Sequence, residues 1–328
     1  MFRGYARHAD GSTSCLTGIA GLADAWADAG TVLWLDLEAP SRADLEQLSK
    51  IIGLDPAAIE DCLAGEQRPR LDEFEDHVFL LFYGLRGVIE NTDADEEIDP
   101  RKLAVFFSRR YLITVHPRPV LSVREIRERG ARNPVSMLAV GVDDVLYRII
   151  DRMIDSYILA VQGYETRIEA LEERTLAGQV DHEPLREITD LRREFMDLRH
   201  LAISQRELLR PFANGDLEYL SPALEGRFRH VVDHLMQVIE LTDALREQLL
   251  SVRDNYHTAI ATRTNTTMQT LTIFASVLLP LSLIAGIYGM NVPLWPATDQ
   301  PVSFWIIIVV MAAIAAGMLA WFRRQRWF

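Results

Sequence analysis

Gly289-Met290-Asn291 follows a long apolar run, Thr270 to Ile287, and lies within a gap from Arg263 to Asp299 that holds no charged side chain. An amide in such a place can offer hydrogen bonds to a polar species without holding it as firmly as a carboxylate would. Glycine and asparagine also suit the left-handed cap of a helix, so the triplet could equally serve as a helix stop. On one face of the same stretch, at spacings of three and four, lie Asn265, Met268, Leu271, Ala275, Leu279, Ser282 and Gly286. The order is polar, then apolar, then small. Such a stripe commonly packs helix on helix, but an apolar constriction in a water-lined passage can also gate by dewetting.

Other chemistries find little support. There is no GxxxxGK[ST], no HExxH and no nucleophile elbow, so neither a nucleotide-driven pump nor a hydrolase is indicated and no nucleotide is expected. Cys15 and Cys62 are the only cysteines, with no CxxC; a reducing cytosol and no disulfide are expected. Net charge is 34 minus 47, or -13; residues 265 to 328 hold three Arg and one Asp, so residues 1 to 264 carry -15. That surface would repel nucleic acid, attract cations and favour solubility.

The elements that must position these groups follow from pattern. Thr270 to Ile287 and Val302 to Phe322 are each long and apolar enough to span a bilayer. Arg253 and Arg263 precede the first run, and Arg323, Arg324 and Arg326 follow the second. The positive-inside rule therefore predicts a hairpin with both termini in the cytoplasm and residues 289–301 outside. The N-terminus has no apolar signal region, so the late hairpin is expected to direct insertion.

Residues 1–135 read as a cytoplasmic α/β domain. Strands are expected at Thr31 to Leu37, His77 to Gly84, Leu103 to Phe107 and Tyr111 to Val115, the last two joined by a hairpin across Ser108-Arg109-Arg110. Ser41, with Asp44 at the capping-box position, opens a helix to about Ile52, and Asp55-Pro56 opens another through Leu63. The run Glu90 to Asp99 holds six carboxylates in ten residues and reads as a solvated loop. Residues 136–264 form a helical stalk: one helix from Asp143 to about Thr175, a second from Pro184 to about Leu209, and a third from Ser221-Pro222. No proline follows until Pro280, and apolar or small residues recur at 228, 235, 238, 242, 245, 249, 252, 256 and 259. This is a coiled-coil seam, so residues 222–288 are expected to form one helix whose end is the first span, with residues 265–328 as the transmembrane hairpin (spans at about 266–288 and 302–322).

Tyr288-Gly289-Met290-Asn291 closing the first of two C-terminal spans, a short outer loop, and the basic-aromatic tail Arg323 to Phe328 resemble the CorA family of magnesium channels. Gln67-Arg68-Pro69-Arg70, the strand His77 to Phe82 and Ile59-Glu60-Asp61 look like that family's cytoplasmic domain, and Arg263 to Thr272 like its pore entrance. The match covers nearly the whole chain.

The resemblance implies a homopentameric channel in the inner (plasma) membrane, with five copies of the long helix lining one pore through the lipid bilayer. The cargo would be Mg2+, with Co2+ or Ni2+ as further candidates, driven inward by the membrane potential and shut off by cytoplasmic Mg2+. Gly289, Met290 and Asn291 would form the selectivity filter. An amide ring suits a cation that gives up its water reluctantly. Asn265, Met268, Leu271, Ala275, Leu279, Ser282 and Gly286 would line and gate the pore; the family often has Met where this chain has Leu279, and Thr in place of Ser282. Glu60, Asp61 and Asp151 would bind a regulatory divalent cation with residue 230 of a neighbouring subunit. The family's Asp is there replaced by His230, with Asp233 one turn on as a substitute. Imidazole favours transition metals over Mg2+. Two alternatives stay open: a proton-coupled Zn2+ transporter on the same scaffold, and a membrane-anchored sensor for which Asn291 is dispensable. No enzymatic activity is expected.

Overall fold

The computed structural model describes residues 2–65, 67–86, 99–177, 183–290, 301–325 and 327. Of the acidic run from Glu90, only Asp99 lies within them, and Asn291 and Arg326 lie outside. The chain divides into two compact units, residues 1–173 with 182–252, and residues 174–181 with 253–328.

The first unit is built on a seven-stranded sheet: β1 (Phe2–Arg7), β2 (Thr13–Leu16), β3 (Val32–Glu38), β4 (Arg70–Glu73), β5 (Val78–Arg86), β6 (Asp99–Phe107) and β7 (Tyr111–His116), in the order β2-β1-β3-β7-β6-β5-β4. Only β3 and β7 run parallel, with Leu33 opposite Tyr111 and Glu38 opposite His116; the other neighbours are antiparallel. The expected β6–β7 hairpin closes through Ser108, whose N–H donates to the Tyr111 carbonyl and whose hydroxyl accepts from the Arg110 and Tyr111 N–H groups.

Both faces of the sheet are buried, and the two-residue period of a strand divides them. Leu33, Leu35, Phe79, Leu81, Phe106 and Ile113 face α1 (Ala20–Ala27), α2 (Arg42–Ile52) and α3 (Pro56–Leu63). On the other face Trp34, Leu80, Phe82, Val105, Phe107 and Leu112 share a core with α4 (Leu121–Arg132), α5 (Pro134–Met137), α6 (Val142–Leu176), α7 (Glu183–Asn214) and the first part of α8 (Pro222–Tyr288). The helix starts are local chemistry. Ser41 and Asp44 form the expected capping box, Gly53 closes α2 in the left-handed region at φ 86°, and the Asp55 carboxylate accepts from the N–H groups of Ala57 and Ala58.

Several elements depart from expectation. β1, β2, α1 and β4 were not anticipated, and β6 begins at Asp99 rather than Leu103. Arg101 and Lys102 break the apolar pattern of β6 yet are buried, because their charges have partners. Helix α7 continues through Pro211 to Asn214 instead of stopping near Leu209. Proline costs that turn one hydrogen bond, but Phe212 and Ala213 are buried against the core, and Gly215, at φ 79°, makes the actual stop.

Helix α8 is continuous over the 67 residues expected of it. Its predicted seam is buried at Phe228, Leu235, Val238, Thr242, Leu245, Leu249, Val252 and Tyr256. Within the first unit the covering partners are this chain's own helices: Phe228 packs on Phe212 and Tyr147, and Arg199 of α7 pairs with Asp243 at 2.8 Å. The second unit holds the rest of α8 and α9 (Pro301–Arg324). Among the described residues these two helices are long and apolar enough to cross a membrane.

Candidate ion pathway and metal-binding clusters

In the second unit α8 is covered along one stripe only. Gln269, Ile273, Ser276, Val277, Pro280, Leu281, Ile284 and Tyr288 are half-buried. At 100° per residue that stripe lies roughly opposite the one singled out in the sequence. Asn265, Met268, Leu271, Ala275, Leu279, Ser282 and Gly286 are all exposed in the single chain, Leu271 at 69% and Leu279 at 70%.

Helix α8 ends without a left-handed glycine, since among the described glycines only Gly11, Gly53, Gly141 and Gly215 have positive φ. Gly289 instead continues the helix by donating to the Ala285 carbonyl at 2.9 Å, and Met290 tightens the last turn by donating to the Ile287 carbonyl at 3.2 Å. A side chain at Gly289 would meet the Ala285 carbonyl oxygen at 3.2 Å. The Asn291 side chain, the proposed chemical centre of the triplet, lies outside the described residues.

The acidic residues fall into two groups on opposite faces of the sheet. Glu60 and Asp61 lie on α3, where Glu60 is exposed. Asp61 is already engaged: Oδ1 accepts from Gln67 Nε2 at 2.6 Å, and Oδ2 pairs with the Arg70 guanidinium. The Lys102 ammonium, in the middle of the sheet, donates to the carbonyls of Asp61 and Ala64 and so caps the end of α3. Burial lowers the pKa of Lys102, while the adjacent Cys62 and Asp61 oppose the shift. Gln67, Arg70 and Lys102 hold Asp61 in place, and no local sequence pattern marks them as its partners.

Asp151 belongs to the other group, on α6. Burial first, then the charge of Asp155, push its carboxyl above the ordinary range, against a hydrogen bond from Tyr147 and the pull of His234 and His230. Those two histidines are one turn apart on α8 with ring centroids 4.2 Å apart. Within the single chain Asp151 lies within electrostatic reach of both His230 and His234. Asp233 is exposed. No group of three or more His, Cys, Asp or Glu side chains among the described residues is already set to hold a metal ion. The four-residue spacing of His230 and His234 was the available signal for the pair; what it faced was not.

The pattern of the family described as "CorA-like Mg2+ transporter protein" matches residues 29–324. The chain belongs to that family. CorA-like proteins are divalent-cation transporters rather than enzymes, and α8 and α9 supply the two C-terminal apolar helices of such a membrane transporter. YfjQ of Bacillus subtilis is 30% identical over 90% of this chain and 89% of its own. The cobalt/magnesium transport protein CorA of Thermotoga maritima is 26% identical over 92% of this chain and 84% of its own. The fold is that of the complete structure of the CorA magnesium transporter from Methanocaldococcus jannaschii, with TM-score 0.81 and 22% identity over 99% of this chain and 98% of the other.

Proposed function

We propose that this chain assembles as a homopentamer in the inner (plasma) membrane, with both termini cytoplasmic, and conducts Mg2+ inward as an uncoupled channel. The observation that carries this is the exposed stripe of α8, polar at Asn265, apolar through Leu279, and small at Ser282 and Gly286, on a helix whose last residue, Tyr288, is followed in sequence by Gly289-Met290-Asn291. Five such stripes facing one axis would give a polar entrance, a dewettable constriction and a ring of Asn291 amides for the hydrated ion. In this scheme residues 1–135 form the cytoplasmic α/β domain, 136–264 the stalk and 265–328 the membrane hairpin.

The driving force is sufficient. At about 2.3 kcal/mol per charge per 100 mV, a divalent ion gains about 4.6 kcal/mol, on the order of a thousandfold in concentration. Cytoplasmic Mg2+ would close the channel by binding at Glu60, Asp61, Asp151, His230 and Asp233. Co2+ and Ni2+ are further candidate cargoes. A second reading, proton-coupled Zn2+ transport, draws support from the imidazole pair, which suits zinc better than magnesium.

One experiment separates them: flux into proteoliposomes measured for Mg2+, Co2+, Ni2+ and Zn2+, at a clamped potential, with and without a pH gradient. The channel predicts Mg2+ entry that follows voltage alone. Uptake that needs the pH gradient would instead establish the coupled transporter, and no flux at all would leave the hairpin as an anchor for a sensor.

A further inference from the structure

We infer that a cleft in the first unit, where β1 and the β6–β7 turn meet the segments leading into α6 and α8, binds a small organic anion: one carboxylate or phosphate carried on an apolar body. The cleft has a volume of about 400 Å³, a size suited to a small ligand. The sheet assembles its basic wall. Arg7 lies opposite Val32, and Leu33, the next residue on β3, lies opposite Tyr111 and donates its N–H to the Arg110 carbonyl at 2.8 Å. That register brings the end of β1 and the β6–β7 turn to the same end of the sheet, and Arg7 and Arg109 both line the cleft.

Both guanidiniums are anchored yet keep donors to spare. Arg7 Nη1 donates to the carbonyls of Leu138 at 3.1 Å and Ala139 at 3.0 Å, and Arg109 Nη2 donates to the Glu218 carbonyl at 3.0 Å and to Glu218 Oε1 at 3.3 Å. A guanidinium carries five N–H donors, so on each arginine the Nε and the second Nη meet no acceptor among the described residues. Two acidic groups share the cleft, and neither bars an anion. Asp143 is buried and already engaged, Oδ1 accepting from the Asp144 N–H at 3.0 Å and Oδ2 from the Ser221 N–H at 3.2 Å. The Glu218 side chain is 79% exposed, and an exposed ion pair contributes little, so an anionic head can take its place on Arg109. Val32, Leu138 and Val140 supply an apolar lining, with Val140 left 69% exposed. The wall from Glu218 to Pro222 is fixed in advance by the Asp143 bond to Ser221 and by the Tyr219 hydroxyl, which donates to the Glu75 carbonyl at 2.8 Å. The excess of acid in residues 1 to 264 disfavours a polyanion, which limits the ligand to a small molecule with one anionic head.

The test is isothermal titration of the purified full-length protein in detergent micelles at low salt, with phenyl phosphate, 3-phenylpropanoate, inorganic phosphate and benzyl alcohol as probes. Both organic anions should bind saturably, one per chain, with Kd of about a millimolar or tighter, and the tighter of the two identifies the head group. Inorganic phosphate, which lacks the apolar body, should bind about tenfold more weakly than phenyl phosphate. Benzyl alcohol, which lacks the charge, should show no saturable binding. Arg7→Gln and Arg109→Gln should each weaken binding by about tenfold. Glu218→Gln should instead strengthen it by about two- to fivefold, because it releases Arg109. Arg109 and Glu218 are exposed, so these two variants test the cleft even where Arg7→Gln, which also holds the Leu138 and Ala139 carbonyls, does not fold. Arg42→Gln, on exposed α2 surface away from the cleft, should bind as the wild type does. Benzyl alcohol binding as tightly as the anions, inorganic phosphate matching phenyl phosphate, unchanged affinity in Arg109→Gln and Glu218→Gln, or no saturable binding of either organic anion would each overturn the proposal.

Discussion

Asp36→Asn should destabilise the first unit severely, although residue 36 lies in neither the candidate pathway nor the metal clusters. Asp36 is 1% exposed on β3. Its carboxylate accepts from Thr114 Oγ1 at 2.9 Å, His116 Nε2 at 3.1 Å and Arg127 Nη1 at 2.7 Å. His116 Nδ1 faces the Arg118 carbonyl at 2.8 Å, so the ring is held from both sides. Asp36 is therefore the buried partner of both the His116 ring and the Arg127 guanidinium, and without its charge Arg127 would keep only Glu38, 3.6 Å away.

Removing one partner of such a buried pair costs about 3 to 5 kcal/mol. In a unit of this size each kcal/mol moves the melting temperature by about 2 to 4 °C, so a fall of roughly 6 to 20 °C is expected at pH 7. The sign with pH is also fixed. Burial alone would raise the Asp36 carboxyl, but the hydrogen bond and charge of His116, with hydrogen bonds from Thr114 and Arg127, bring it below its ordinary value of 3.8. A depressed carboxyl stabilises fully above its unfolded value and loses that contribution as pH falls through the folded one. The gap between wild type and variant should thus narrow below about pH 4. Tryptophan fluorescence melts of the full-length protein measure both, since Trp34 donates to Thr114 in the same network. A fall under about 2 °C, or a gap that persists in acid, would refute the reasoning.

Asn291→Ala should abolish Mg2+ uptake in proteoliposomes while the oligomer survives in size-exclusion chromatography; near-normal flux would remove Asn291 from the filter. Leu271→Asn should wet the proposed constriction and raise flux at high internal Mg2+, whereas an unchanged closed state would return Leu271 to helix packing. Burial pushes the Cys62 thiol up to about 12, so at pH 8 only about one part in ten thousand is thiolate. Mass spectrometry after maleimide treatment should find exposed Cys15 modified and Cys62 untouched until the protein unfolds.

Legibility followed how local each cause is. Helices α2 and α3 could be read because Ser41, Asp44, Asp55 and Pro56 act within one turn, and α8 because no proline interrupts 222 to 279. Strand β1 was illegible: FRGYAR has neither an apolar run nor clean alternation, and it becomes a strand by pairing with both β2 and β3. The same holds for Arg101 and Lys102, which read as a break until the acceptors on Asp99 and α3 are in place. Asp36, His116 and Arg127 stand 80 and 91 residues apart in sequence, and no spacing rule joins them. For the acidic cluster no spacing rule joins Asp151 on α6 to His230 and His234 on α8, because only the packing of the two helices sets their proximity.

Helix α8 also shows how far one chain accounts for its own surface. Up to Tyr256 its seam is buried, and beyond it the apolar side chains are bare on more than one side. Phe274 at 62%, Leu278 at 57% and Leu283 at 61% exposed are bulky and flank the stripe that runs from Asn265 to Gly286. A helix apolar all round belongs in lipid or in a protein core. Lipid would accept Phe274, Leu278 and Leu283 as they stand, but it has no use for Asn265 or for the small residues Ala275, Ser282 and Gly286, which instead permit close approach of other helices or passage of water. The exposed surface thus carries two chemistries, one suited to acyl chains and one to a neighbour or an aqueous path. A helix that only anchored a sensor would need just the first, and the second is the physical ground for preferring a pore.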